Sequence, residues 1–346
     1  LLGVFPLIAK SLINAIKKRR VYKNYTKPKT FDRNMIVIGA GAGGLVTSYI
    51  AAAVKAKVTL IEAGEMGGDC LNTGCVPSKA IIKSAKVAQQ MRQAEKYGLQ
   101  STTPQFSFKK IMARVQQVIA DIAPHDSVER YTNLGVEVIK GYAKLIDPWT
   151  VEIKLNDGGT QTLTARTIVI ATGARPFVPP LPGIEETGYV TSDTLWSKFA
   201  ELDDAPKKLV VLGGGPIGSE LAQSFARLGS NVTQIEMAER IMIKEDLEVS
   251  KFAHEALTQS GVNILTSHQA LRCEERDGKK FIVVKHNDNE IDIEYDELLC
   301  AVGRSARLEG YGLEELGIET NRTVVTNEYL ETLYPNIFAA GDIVGP

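Results

Sequence analysis

Two cysteines, Cys70 and Cys75, are separated by only four residues in the segment Gly67–Lys79, a spacing at which a disulfide can form and break. Apolar and polar side chains from Lys79 to Glu95 follow helical spacing, and Pro77 suits the first turn of a helix. We therefore expect Cys75 at a helix N-terminus, where unpaired backbone amides favour a thiolate. The chemistry that this pattern predicts is thiol–disulfide exchange.

Two alternatives remain open for this pair, a structural disulfide and half of a metal site. A bridge across four residues would constrain the unfolded chain little, and no second Cys or His pair has complementary zinc spacing. We favour a redox pair and predict no metal site. The other cysteines are interpreted as bystanders, Cys300 buried in an apolar run and Cys273 near the surface among charged neighbours.

A glycine-rich turn, Gly39–Gly44, lies between a short apolar run and an alanine-rich helical stretch. Its G-x-G-x-x-G spacing is typical of a dinucleotide-binding β-α-β unit, in which Gly39 permits the tight turn, Gly41 admits a pyrophosphate and Gly44 allows close packing of helix on strand. The helix N-terminus supplies amide donors to the phosphates. A second apolar run ends at Glu62, which is placed to accept a hydrogen bond from a ribose hydroxyl.

The same pattern occurs again at Gly213, Gly215 and Gly218, with Glu236 as the terminal acid. The first glycine precedes the acid by 23 residues in both copies. One such turn is weak evidence, but two in register, each with flanking strands, predict two separate dinucleotide sites. The carboxylate of Glu236 would repel a 2'-phosphate, so NADH is favoured over NADPH, although Arg240 is near enough in sequence to moderate this preference.

The composition limits the possible classes of protein. A chain of 346 residues, 44% of them hydrophobic, can hold about two or three packed domains. Its net charge of -1 gives no reason to expect a nucleic-acid partner. Four cysteines are too few for a disulfide-stapled secreted scaffold, so we expect a reducing, cytoplasmic location.

Taken together, the cysteine segment, the two glycine-rich turns and Gly341-Asp342 resemble the flavin disulfide reductases. These are class I pyridine nucleotide-disulfide oxidoreductases such as dihydrolipoamide dehydrogenase, glutathione reductase and mercuric reductase, and the resemblance covers residues 34–346. It implies an α/β fold with two Rossmann-like, doubly wound dinucleotide-binding domains. It also implies FAD at the first turn, NAD(P)H at the second, and hydride transfer through the flavin to the disulfide.

The resemblance also implies roles for individual residues. Cys70 resembles the interchange thiol that attacks substrate, and Cys75 resembles the charge-transfer thiol beside the flavin. Lys79 resembles the flavin-contacting lysine, and Glu220 resembles its ion-pair partner. The residues assigned by resemblance to FAD are Gly39, Gly41, Gly44, Glu62, Gly68, Lys79, Ala143, Thr172, Gly173, Gly341 and Asp342, and those assigned to the nicotinamide nucleotide are Gly213, Gly215, Gly218, Glu236 and Gly303.

Two positions depart from the pattern of the resembled family. Asp69 stands where threonine is common, and Ala301-Val302-Gly303-Arg304 replaces the more usual Ala-Thr-Gly-Arg. An acid beside Cys70 would oppose thiolate formation there, which makes lipoamide a less secure assignment as acceptor. Asp69 is instead similar to the residue found in a mercuric-reductase-like subgroup.

Residues 332–342 resemble the second FAD motif of this family. In the resembled family, an interface domain follows that motif, makes the dimer and supplies a His-Glu acid-base pair. This sequence ends at Pro346, directly after that motif, and its four histidines match no such pair. We therefore expect a fragment of a protein that forms a homodimer through a C-terminal domain absent here. General acid–base assistance contributes ~10²–10⁴-fold, so turnover without that domain is expected to be poor.

The N-terminal residues suggest contact with a membrane. Apolar side chains between Phe5 and Ile16 follow helical spacing and precede the basic cluster Lys17-Lys18-Arg19-Arg20, which is typical of a basic amphipathic helix or of the last turns of a spanning helix. The uncharged run 1–9 is too short to cross a bilayer. A solvated arm is the alternative interpretation. If the membrane interpretation holds, the basic cluster places the protein at the cytoplasmic face.

We predict four parts of the chain: a basic amphipathic segment (1–33), an FAD-binding domain with the redox disulfide (34–182), an NAD(P)-binding domain (183–303) and a return segment completing the FAD domain (304–346). The leading hypothesis is an FAD-dependent NAD(P)H oxidoreductase that acts on a small-molecule disulfide or a metal ion. The alternative is a membrane-tethered flavin-binding redox module, or an inactive fragment without turnover.

Overall fold

The computed structural model describes residues 20–345, so most of the predicted N-terminal amphipathic segment lies outside the described residues. The strands are β1 (Arg33–Ile38), β2 (Val58–Glu62), β3 (Val136–Asp147), β4 (Thr150–Leu155), β5 (Thr160–Ile170), β6 (Ala174–Pro176), β7 (Val190–Thr191), β8 (Lys208–Leu212), β9 (Asn231–Ile235), β10 (Val262–Leu265), β11 (Gln269–Arg276), β12 (Lys279–His286), β13 (Asn289–Tyr295), β14 (Glu297–Cys300), β15 (Arg304–Ala306), β16 (Thr320–Asn321), β17 (Thr323–Val324) and β18 (Ile337–Ala339). The α-helices are α1 (Ala42–Ala53), α2 (Gly68–Asn72), α3 (Cys75–Arg92), α4 (Phe108–Ile122), α5 (Val128–Asn133), α6 (Ile184–Thr187), α7 (Leu195–Ala200), α8 (Pro216–Arg227) and α9 (Leu247–Gln259). Within residues 20–345, no helix is both long and apolar enough to span a membrane.

The chain divides into two compact units that alternate along the sequence. The first unit contains the residues up to Cys70, residues 123–174 and the residues from Ser305 onward, and the second contains Leu71–Ile122 and Arg175–Arg304. This division differs from the predicted limits of 34–182, 183–303 and 304–346 mainly because α3 and α4 group with the second unit. They do so because apolar side chains of α3, such as Ile81, share one buried cluster with side chains of α8, such as Phe225.

The first unit is built on a parallel sheet with strand order β3, β2, β1, β5, β18. The second half of β3 and the first half of β5 leave this sheet and pair with β4 in an antiparallel meander. Alternate residues of β1 face opposite sides, so that Ile36 and Ile38 join one buried cluster and Val37 joins another. Both faces of the parallel sheet are therefore covered, as expected for a doubly wound fold.

The second unit repeats this plan with different residues. Its parallel strands have the order β10, β9, β8, β14, β7. An antiparallel sheet, β11-β12-β13, is inserted in the chain between β10 and β14. In each unit the glycine-rich turn follows the central strand, β1 or β8, at the point where the strand order reverses, which is where open α/β sheets bind ligands.

Candidate active site

Cys75 is the first residue of α3 and is solvent-exposed. In the first turn of this helix, the backbone N–H of Ser78 donates to the carbonyl oxygen of Gly74 at 3.0 Å. Pro77 is buried in the first turn, where its missing N–H costs no hydrogen bond. The helix therefore begins four residues before the predicted start at Lys79, and the expected placement of Cys75 at a helix N-terminus is confirmed.

Lys79 lies one turn after Cys75 on α3, and its Nζ is 2.7 Å from Oε2 of Glu220. Glu220 is on α8, the helix that begins at the second glycine-rich turn. The structure thus brings together two residues that the sequence separates by 141 positions. Their side chains are 60% and 41% exposed, so this ion pair contributes at most about 1 kcal/mol to stability, and fold stability does not account for it.

Cys70 lies on the short helix α2 and is also solvent-exposed. The same helix begins with Gly68, which has φ +58°. A Cβ at Gly68 would lie 2.6 Å from the Cα of Gly41, the middle glycine of the first turn. Only glycine therefore lets the chain leading to Cys70 lie this close to the first glycine-rich turn.

The first and last glycines of each turn are required by the protein's own packing. A Cβ at Gly39 would lie 2.3 Å from the carbonyl oxygen of Ala171, and a Cβ at Gly44 would lie 1.8 Å from that of Gly39. The second turn repeats both close approaches. A Cβ at Gly213 would lie 2.3 Å from the carbonyl oxygen of Ala301, and a Cβ at Gly218 would lie 2.4 Å from the carbonyl oxygen of Gly213. These glycines allow the tight turn and the close contact of helix and strand that the sequence predicts.

The middle glycines are different, because neither packing nor backbone conformation requires them. A Cβ at Gly41 would come no closer than 3.9 Å to another atom, and one at Gly215 would meet nothing within 4 Å. Their φ values, -80° and -77°, lie in the extended region that any residue adopts. Space beside the backbone is kept open at both positions, as close approach of a pyrophosphate would require, so both turns fit a bound dinucleotide.

The terminal acids have a structural role that the sequence did not reveal. Oε2 of Glu62 accepts a hydrogen bond from the N–H of Ala40 at 2.6 Å, and Oε1 accepts one from the N–H of Gly64 at 2.6 Å. In the second unit, the N–H groups of Gly214 and Ala238 donate in the same way to Glu236, at 2.6 and 2.7 Å. Each carboxylate therefore holds its glycine-rich turn in place, and the second lone pair of each oxygen stays available for a ribose hydroxyl.

The remaining residues assigned to FAD lie in the first unit. The second FAD motif meets the glycine-rich turn, since a Cβ at Gly43 would lie 3.7 Å from the backbone nitrogen of Gly341. Asp342 follows as an exposed residue. Gly173 has φ +67°, and its carbonyl oxygen accepts a hydrogen bond from the N–H of Arg307 at 3.0 Å. Oγ1 of Thr172 also donates to the carbonyl oxygen of Arg307.

Ala143 is buried on β3, so only its backbone could meet a ligand. Beside it, the rings of Tyr142 and Tyr311 stack with centroids 5.1 Å apart. Burial first, and then the hydrogen bond with Tyr142, raise the pKa of Tyr311, and the charge of Glu62 acts in the same direction. This aromatic pair beside the first terminal acid is a feature that the sequence analysis missed.

In the second unit, Gly303 has φ +140° and follows Ala301, whose carbonyl lies against the second glycine-rich turn. A non-glycine residue at Gly303 would be strained by its backbone conformation, although nothing lies within 4 Å of the added Cβ. The residues assigned by resemblance to the nicotinamide nucleotide thus lie on the turn, at the end of β9 and just beyond β14.

The prediction that Cys273 lies near the surface is wrong, because the residue is only 3% exposed. The residues on either side of Cys273 in β11 are charged. Because successive residues of a strand face opposite sides, Cys273 points into the apolar cluster while these charged neighbours point toward solvent. Cys300 is buried as predicted. Burial raises the pKa of Cys273, and it raises the pKa of Cys300 to about 12, so both thiols are unreactive at neutral pH.

Comparison with known proteins identifies the family. The sequence profile of the family described as pyridine nucleotide-disulphide oxidoreductase matches residues 33–346. The chain belongs to the pyridine nucleotide-disulphide oxidoreductase family. This family uses FAD and a nicotinamide nucleotide, which agrees with the two turns described above. The expected Rossmann-like α/β fold class is confirmed.

The curated relatives of this oxidoreductase chain include mercuric reductases and dihydrolipoyl dehydrogenases. The chain is 33% identical over 318 residues to mercuric reductase of Staphylococcus aureus, which covers 91% of the chain and 56% of the relative. It is 35% identical over 319 residues to dihydrolipoyl dehydrogenase of Geobacillus stearothermophilus, covering 91% and 66%. The chain thus spans about half to two thirds of the length of these relatives.

Among solved structures, the chain resembles RclA of Escherichia coli, described as an HOCl-induced flavoprotein disulfide reductase in complex with Cu(II). The TM-score is 0.77 at 28% sequence identity, and the similarity covers 92% of this chain and 67% of RclA. The fold of this chain is therefore similar to that of a flavoprotein disulfide reductase.

Proposed function

We propose that this chain is the nucleotide-binding and dithiol portion of an FAD-dependent NAD(P)H oxidoreductase. FAD held at the first glycine-rich turn would supply two-electron redox chemistry between the nicotinamide nucleotide and the Cys70–Cys75 disulfide. The balanced reaction consumes one NAD(P)H, one proton and one acceptor disulfide, and yields NAD(P)⁺ and two thiols. A metal ion that accepts two electrons would replace the acceptor disulfide.

The observation that carries this proposal is the position of Cys75 at the start of α3, one turn before the Lys79–Glu220 ion pair. The amide N–H groups at a helix start favour an anionic sulfur. Cys70, exposed on α2, is the thiol we assign to attack on the acceptor. In the proposed holoenzyme, Gly41 leaves room for FAD in the first unit, and Gly215 leaves room for the nicotinamide nucleotide in the second.

Anaerobic titration of the FAD-loaded protein with NADH tests this proposal. We expect one equivalent of NADH to reduce the protein by two electrons and to produce a long-wavelength absorbance band, followed by reoxidation when a disulfide acceptor is added. A flavin that stays oxidised would contradict the enzyme proposal, while reduction without reoxidation by any acceptor would favour the alternative of a redox module without turnover.

Replacing Lys79 with methionine is expected to slow flavin reduction by NADH about 10²-fold, since a single preorganised charge at a reacting centre is typically worth this much. The exposed ion pair adds little stability, so the melting temperature should change by no more than about 2 °C. Stopped-flow reduction and thermal unfolding provide the two measurements. The matched control is Glu220→Gln, which keeps a hydrogen-bond acceptor for Lys79. It should slow flavin reduction by NADH much less than Lys79→Met does. A large fall in melting temperature with an unchanged reduction rate would assign the pair to stability instead.

We also propose NADH rather than NADPH as the preferred reductant. The carboxylate of Glu236 is held at the end of β9 and would repel a 2'-phosphate. The guanidinium of Arg240 is hydrogen-bonded to the carbonyl oxygens of Met242, Ile243 and Glu245 at 3.2, 2.9 and 3.0 Å. These bonds hold Arg240 against its own loop, which supports the NADH assignment.

Two variants separate these roles. Glu236→Gln is expected to raise the kcat/KM for NADPH relative to that for NADH about tenfold, since a charge pair a few ångströms apart is worth ~1–4 kcal/mol. Arg240→Gln is expected to leave that ratio unchanged while lowering stability, because its partners are carbonyls of its own loop. Steady-state kinetics with both nucleotides measure this. A selective loss of NADPH activity in Arg240→Gln would show that Arg240 binds the phosphate.

The acceptor and the assembly of the whole protein belong to the same proposal. We propose a small-molecule or disulfide acceptor, and a homodimer as the assembly of the whole protein. The basic N-terminal sequence supports a location at the cytoplasmic face of a membrane, although the residues concerned precede the described part of the chain. Vesicle flotation of the full chain and of a chain starting at Arg33 would measure this association.

A further inference from the structure

The loop between the two cysteines is anchored by a tryptophan that is distant in sequence. Nε1–H of Trp196 donates to the carbonyl oxygen of Thr73 at 2.7 Å, across 123 residues of chain. Thr73 lies two residues before Cys75, and both ends of the hydrogen bond belong to the second unit. The sequence carries no signal for this contact.

The indole has little freedom to move. Trp196 is only 3% exposed on α7, and it shares one buried cluster with Phe199 of the same helix and with Ile81 and Ala85 of α3. A buried indole N–H needs an acceptor, and leaving it without one would cost a desolvation penalty. The burial of α7 in this cluster therefore fixes the position of the donor, and the donor fixes the carbonyl of Thr73.

The side chain of Thr73 does not anchor the loop at this point. Oγ1 of Thr73 is buried and has no hydrogen-bond partner among residues 20–345, so the side chain of Thr73 does not hold the loop itself. The next residue, Gly74, is the N-cap of α3, with φ -110° and ψ -103° and no side chain to cap the helix. The peptide between Thr73 and Gly74 thus sets where α3 begins, and Trp196 holds that peptide.

We propose that Trp196 is a positioning residue for Cys75. By holding the carbonyl of Thr73, its indole N–H keeps Cys75 at the first position of α3, the kind of position at which helix-start amides favour an anionic sulfur. This role depends on the proposed function in one respect, since both require a reactive thiol at Cys75. Trp196 acts through the backbone and needs no contact with substrate or cofactor.

The test measures the reactivity of Cys75 without flavin or nucleotide. In a Cys70→Ser background, Cys75 is the one exposed thiol among the three remaining cysteines, since Cys273 and Cys300 are buried. We expect Trp196→Phe, which removes the N–H and keeps an aromatic ring, to slow alkylation of Cys75 by iodoacetamide at neutral pH about fivefold. Because Cys75 is already exposed, this rate reports thiolate formation and not access.

The matched control is Phe199→Leu, which removes packing from the same helix and cluster but no hydrogen bond to the loop. It should lower the melting temperature and leave the alkylation rate unchanged. If Trp196→Phe reacts at the parent rate or faster, or if Phe199→Leu slows alkylation equally, Trp196 is a packing residue only and the proposal is overturned.

A second measurement uses the unmutated chain, in case Trp196→Phe fails to fold. The sequence contains two tryptophans, Trp149 and Trp196, so the two indole N–H signals can be assigned by nuclear magnetic resonance. Oxidation of the Cys70–Cys75 pair with a small disulfide should shift the indole signal of Trp196 and not that of Trp149, which lies in the first unit. An unmoved Trp196 signal would contradict the proposal. Neither readout uses NADH, so a failed NADH titration would remove the proposed function and leave this inference standing.

Discussion

Replacing Cys75 with serine is expected to lower NADH-dependent disulfide reduction by ~10³-fold or more, because the electron pair then has no disulfide to reduce. FAD should remain bound and should still accept electrons from NADH, since the residues at both glycine-rich turns are unchanged. The long-wavelength absorbance band of the reduced protein should disappear. Turnover assays and anaerobic spectra of the same preparation measure both effects.

Cys70→Ser is the matched variant, because it also removes the disulfide but leaves the thiol at the start of α3. It should lose turnover to the same extent and keep the long-wavelength band. The two variants therefore separate the two thiols. A Cys75→Ser protein that kept the band would refute the assignment of Cys75 as the thiol beside the flavin, and one that kept turnover would exclude the dithiol mechanism.

Gly44→Ala is expected to abolish FAD binding. The added Cβ would lie 1.8 Å from the carbonyl oxygen of Gly39, and a backbone atom in a tight turn cannot move away as a flexible side chain can. The turn must open, which moves the N-terminus of α1 away from the phosphates and destabilises the unit by about 1–3 kcal/mol. The flavin-to-protein ratio of the purified variant and calorimetric titration with FAD measure the loss.

The neighbouring Gly43 is the matched control. A Cβ at Gly43 would come no closer than 3.6 Å to the carbonyl oxygen of Ala340, an ordinary van der Waals distance. Gly43→Ala lies within α1 and should keep FAD and gain helix stability, by about 0.5–1 kcal/mol. Equal FAD contents in the two variants would contradict this account of the turn.

A matching substitution in the second turn is expected to abolish binding of the nicotinamide nucleotide instead of FAD. Gly218→Ala would place its Cβ 2.4 Å from the carbonyl oxygen of Gly213, so the nicotinamide site should be lost. FAD should stay bound in that variant and should be reducible by dithionite but not by NADH. If Gly44→Ala abolished NADH binding and Gly218→Ala abolished FAD binding, the assignment of the two cofactors to the two turns would be reversed.

The parts of the site that sequence predicted are those within a single β-α-β unit. The glycines, the terminal acids Glu62 and Glu236, and the thiol at the start of α3 were placed correctly because each depends on fewer than thirty residues of chain. Cys273 was placed wrongly because charged neighbours do not report which face of a strand its own side chain occupies. The grouping of α3 with the second unit also depends on packing partners that lie far along the chain.

The sequence by itself indicated the family by resemblance, and it predicted the two glycine-rich turns and the thiol at a helix start, because glycine spacing and helix-start residues act through local backbone geometry. The Lys79–Glu220 ion pair, which the resemblance implied, is present in the structure. Only the tertiary structure decided that Arg240 binds its own loop and that Trp196 holds Thr73. The second of these contacts joins residues more than one hundred positions apart, and the first requires a specific loop conformation. Such contacts depend on how distant elements pack together, which no local pattern of residues encodes.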